Sequence, residues 1–83
     1  MNNQITSLIQ HGAMIRNLDD GSCIPLTTLF YRKAVDACRK SNCNAITFSL
    51  VHPGIDEELH LAVHRDGHVD CGSPKSIRAC LDR

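Results

Sequence analysis

The 83-residue sequence predicts an α+β fold in one small domain spanning residues 1–83. The expected architecture is a central helix on a three-stranded antiparallel meander, with short helices at the N- and C-terminal ends. Three observations carry this expectation. A long segment from about Cys23 to Ser41 repeats apolar residues at helical spacing. Ala45 to Val51 alternates apolar and polar residues. Two turn signals, Pro53-Gly54 and Asp66-Gly67, then punctuate the rest of the chain.

Taken in order, Asn3 to Gln10 places Ile5, Leu8 and Ile9 on one helical face, with Gly12 as a stop. A short extended piece follows around Met14 and Ile15, then a turn at Asp20-Gly21. In the long helix, Leu26, Leu29, Phe30, Ala34, Ala37 and Cys38 form the expected apolar stripe. Ser22 is the candidate N-cap, Pro25 suits a first turn, and Arg39 and Lys40 suit the negative end of the helix dipole. Asn42 or Asn44 could end it. Ile46, Phe48 and Leu50 are the inward residues of the first strand of the meander.

Glu57 to Arg65 reads two ways. As a helix, Asp56 caps it and Ile55, Leu59, Ala62 and Val63 make its stripe. As a strand, Leu59, Leu61 and Val63 face inward, and the Asp66-Gly67 turn leads into an extended His68 to Cys71. The strand reading is preferred, and the side-chain pattern then selects its register. A two-residue loop would put Asp70 among the leucines. A three-residue loop, with Gly67 left-handed, pairs His64 with His68 and Val63 with Val69. Because a one-residue slip exchanges the faces, the second register is expected. Ser73-Pro74 opens the last helix, with Ile77, Cys80 and Leu81 as its apolar side.

Composition narrows the function. Nine Lys+Arg balance nine Asp+Glu, giving a net charge of +0, which argues against general nucleic-acid binding. No apolar run approaches a membrane span, so no membrane partner is expected. Aromatic residues are 4% of the chain, so the core is expected to be aliphatic residues, Ala and Cys. Five cysteines are many for this length, and none form a CxxC pair. The first residues lack the charge and apolar run of a secretory leader, so the expectation is a cytoplasmic protein with reduced thiols.

Cys23 is the thiol that a helix N-terminus would activate, because unpaired N–H groups and the dipole stabilise a thiolate. In the chosen register Asp70 lies opposite Ala62, with His60 and His64 as its diagonal neighbours. A carboxylate there can orient an imidazole, and the imidazole can deprotonate a thiol. The alternative is that Met14–Leu18 and Ser22–Leu26 form a hairpin, which makes Cys23 an ordinary strand residue.

The stretches GSCIPLTTLFYRKAVDACRKSNCNAITFSL and ELHLAVHRDGHVDCGSP resemble the transglutaminase-like branch of the papain-like cysteine enzymes, over about Gly21 to Pro74. There a Cys opens a helix, a His begins a strand and an Asp sits on the neighbouring strand. The resemblance implies amide acyl transfer: peptide hydrolysis, glutamine deamidation or transamidation. It assigns Cys23 as nucleophile, His60 as base and Asp70 as orienting acid, with His64 competing for the base role. It implies a protein or peptide substrate and no cofactor.

Two other functions fit the same residues. One is a non-catalytic module, an inhibitor or adaptor that binds a partner protein. The other is a metal site. On a strand, His60 and His64 stand about 13 Å apart and cannot share an ion. His64 and His68 across the hairpin can, with Asp70 or a thiol completing the set. In the helical reading His60 and His64 face one ion, but the residue after His60 is Leu61, so the HExxH pattern is absent.

Overall fold

The alternating segments of the sequence form a five-stranded antiparallel sheet in the computed structural model, which describes residues 3–81. In chain order the elements are α1 (Asn3–Gln10), β1 (Met14–Arg16), β2 (Cys23–Pro25), α2 (Thr28–Lys40), β3 (Ala45–Val51), β4 (Leu59–His64), β5 (Val69–Gly72) and α3 (Pro74–Leu81). The strand order is β2-β1-β3-β4-β5. The α+β class and the β3-β4-β5 meander are as expected. The two extra strands are the β1-β2 hairpin, and Glu57 to Arg65 holds strand β4 with no helix.

The hairpin corrects the start of the long helix. The Asp20 carboxylate accepts hydrogen bonds from the Ser22 amide at 2.9 Å and the Ser22 hydroxyl at 2.7 Å. These bonds hold Asp20 below the ordinary carboxylate range and keep Ser22 in the turn. Pro25 ends a strand, and Thr27 caps the helix: its backbone is extended and its hydroxyl accepts from the Phe30 amide. The helix end is as the sequence suggests. Asn42 takes a left-handed conformation, and the Cys43 amide donates to the Cys38 carbonyl, closing a Schellman-type cap.

The buried face also differs from the expected stripe. Ala34, Val35 and Cys38 are buried with Tyr31 beside them, whereas Ala37 is exposed and Leu29 is 61% exposed. Leu26 is buried, but from the loop before the helix.

Pairing assigns the two faces of the sheet. Ile15, Leu50, Leu61, Val63 and Val69 share one face and pack with Ile5, Ala34 and Val35 of α1 and α2. The other face carries Arg16, Cys23, Thr47, Ser49, His60, Ala62, His64 and Asp70. Helix α3 lies over part of that second face, where Ala62 and Ile77 are 0% and 2% exposed. The molecule is thus three layers, with two helices on one side and one short helix on the other. Among the described residues no helix is long and apolar enough to cross a membrane.

Candidate metal centre on the β4-β5 hairpin

The β4-β5 hairpin adopts the register expected from the side-chain pattern. Val63 pairs with Val69 and Ala62 with Asp70, and the His64 amide donates to the His68 carbonyl at 2.8 Å. Gly67 has φ 93°, the left-handed conformation that the three-residue loop requires. Asp66 accepts from the His68 amide, and this bond foremost lowers its pKa.

The turn is tied to α2 as well as to itself. The Tyr31 hydroxyl donates to the Gly67 carbonyl, and Arg39 Nε donates to the Arg65 carbonyl at 3.0 Å. A Cβ at Gly67 would stand 3.0 Å from the Tyr31 hydroxyl. Gly67→Ala is therefore expected to cost about 1–2 kcal/mol, from positive φ and displacement of Tyr31. Urea unfolding measures it, and a loss within error of zero would contradict this account of the turn.

This register gathers three side chains of types that can ligate a metal ion. His64 Nε2 lies 2.9 Å from Asp70 Oδ2, and His68 Nε2 lies 3.3 Å from Asp70 Oδ1. The imidazole rings stand 5.0 Å apart, centroid to centroid. One ligand atom from each of the three residues falls within 4.8 Å of the other two. Asp70 and His64 are half-buried, while His68 is 57% exposed at its side chain. The site therefore opens to solvent on one side.

The predicted catalytic set is not assembled. Cys23 sits exposed on edge strand β2, five residues before α2 begins, so the helix dipole does not act on its thiol. Cys23 pairs with Arg16, Arg16 with Ser49 and Ser49 with His60. The thiol and His60 are in one row of one face, but three strand spacings separate them, about 14 Å. Asp70 pairs with His64 and leaves His60, which lies 3.4 Å from Glu58. Of the four residues, the structure brings together His64 and Asp70 only. His68, outside the predicted triad, joins them because the hairpin register places it beside His64.

Of the other thiols, Cys43 and Cys71 are exposed and Cys80 is partly buried. Cys38 is buried and its Sγ donates to the Val63 carbonyl at 3.3 Å. Burial raises the pKa of Cys71, which keeps that thiol protonated. Comparisons with protein-family models, curated proteins and solved structures find no match for this chain.

Proposed function

We propose that the chain is a small metal-binding domain in which His64, His68 and Asp70 hold a divalent first-row ion, zinc being the best fit. The observation that carries this reading is the convergence of three ligand atoms within 4.8 Å of one another on one hairpin. Donors around a tetrahedral zinc at 2.0–2.1 Å stand about 3.3 Å apart. His68 Nε2 lies 3.3 Å from Asp70 Oδ1 and His64 Nε2 lies 2.9 Å from Asp70 Oδ2, so each imidazole meets a different oxygen of one carboxylate, and an ion would draw both toward one side of it. Closing the two imidazoles around an ion asks for side-chain rotation of the exposed His68, which few neighbours oppose.

Two neutral imidazoles and one carboxylate suit zinc's borderline-soft character. Three protein ligands leave a fourth position for water on the open side. Such a site can lower the pKa of bound water or polarise a carbonyl. The turn bonds from Tyr31 and Arg39 hold the backbone of the hairpin in place, so little ordering is left for the ion to do.

Thiol-dependent acyl transfer needs Cys23 beside an imidazole, and its place three strands from His60 gives that reading no support.

The test is titration of chelator-treated protein with zinc against a chromophoric competitor. One ion per chain is expected, with affinity falling as pH is lowered because ligating imidazoles must be unprotonated. Absence of saturable binding at one equivalent would sink the proposal.

A further inference from the structure

A second site lies on the same face of the sheet, under α3, and is independent of the metal proposal. Helix α3 covers only part of that face and leaves a trough of about 460 Å³ beside it. Thr47 of β3 and His60 of β4 form the sheet side, and Ile77 and Leu81 of α3 form the apolar wall. Lys75 and Arg78 of the same helix also line it. Among the described residues neither cation has an ion-pair partner, and no carboxylate lines the trough. Glu58, the acid nearest His60 at 3.4 Å, is outside the lining.

We propose that this trough binds a small carboxylate with an aliphatic body, the carboxylate meeting Lys75 and Arg78 and the chain covering Leu81, with Ile77 at the base of the trough. The volume is within the usual range of small-molecule pockets. A ligand of the size of a medium-length fatty acid is within what such a pocket takes. The charge follows from the two cations, neither of which has an ion-pair partner among the described residues. The apolar body follows from the wall, since Leu81 is 40% exposed and a bound chain would cover it.

Decanoate below its micellar concentration is the probe, titrated into the full chain by calorimetry and by amide chemical shifts. Saturable binding of one molecule per chain is expected below about 1 mM. Decanol is expected to bind about tenfold more weakly, and the double variant K75Q/R78Q to weaken decanoate by a similar factor. Both substituted residues are exposed, so the fold is expected to persist. The shifted amides should centre on Thr47, His60, Ile77 and Leu81. The proposal is overturned by any of four results: no saturation, equal binding of decyltrimethylammonium, an unchanged K75Q/R78Q variant, or shifts centred elsewhere.

Discussion

Replacing Asp70 with alanine is expected to lower zinc affinity by on the order of 100-fold or more while leaving the fold intact. Loss even of a residue that only supports a metal ligand typically costs 10–100-fold, and Asp70 is itself a proposed ligand. Its carboxylate is the one group that contacts both imidazoles, at 2.9 Å and 3.3 Å, and it is the one anion of the set. Without it, two neutral nitrogens face a doubly charged ion. Asp70→Asn keeps an oxygen in place and removes the charge, so it should fall between wild type and Asp70→Ala. The fold should survive because Asp70 is half-buried and its backbone pairing with Ala62 does not depend on the side chain. Glu58→Gln serves as the control: Glu58 sits beside the one β4 histidine outside the site. Thermal unfolding gives an independent readout. Zinc at 100 times its dissociation constant stabilises the native state by about 2.7 kcal/mol, which raises Tm by roughly 10–20 °C in a domain this small. The rise should vanish in Asp70→Ala. A variant that binds zinc as tightly as wild type would move the ion to other ligands and end the present assignment.

The contrast between the two ends of the chain shows what a sequence of this size reveals. Once Glu57 to Arg65 is taken as a strand rather than a helix, the register of the β4-β5 hairpin is readable, because a wrong one buries Asp70 among Leu59, Leu61 and Val63. That penalty is large enough to decide the pairing. No comparable penalty marks the β1-β2 hairpin. Its strands have three residues each, and all of Cys23–Pro25 is exposed, so no alternation of buried and exposed positions reports the strand. Ser22 and Thr27 are both good caps, and the Asp20 side chain and the Asn17 amide, which donates to the Ser22 carbonyl, engage Ser22 in the turn. Leu26 and Leu29 then imitate a helical stripe, although one is buried from a loop and the other faces solvent. Placing Cys23 at the helix N-terminus rests on that imitation, whereas the alternative hairpin puts it on a strand, where it lies. The His64-Asp70 pair was legible because register alone creates it. The choice of His64 over His60 was not, since both are diagonal neighbours of Asp70 and the selection depends on side-chain direction.

The largest expected effect on stability is at the centre of the same sheet. Leu61→Ala is expected to destabilise the protein by about 3 kcal/mol, the middle of the usual range for deleting a fully enclosed leucine. Leu61 is 0% exposed, and β4 is hydrogen-bonded on both sides, with Leu61 opposite Phe48 and Cys71. Paired backbone on two sides limits how far the strand can move to fill the void, so the cavity contribution adds to the lost burial. A domain of this size has a total stability of roughly 5–10 kcal/mol, so one such change removes a large share. The expected fall in Tm is about 12–24 °C. Leu29→Ala, an equal truncation at a position 61% exposed, should stay within about 0.5 kcal/mol of wild type. That pair of variants also separates core from site. Leu61 faces α1 and α2, whereas His64 and Asp70 face the opposite side of the sheet, so Leu61→Ala should keep near-normal zinc affinity when measured well below its Tm. If Leu61→Ala costs less than about 1 kcal/mol, the apolar centre is not where β4 crosses the sheet, and the hairpin that carries the proposed metal centre loses its anchor with it.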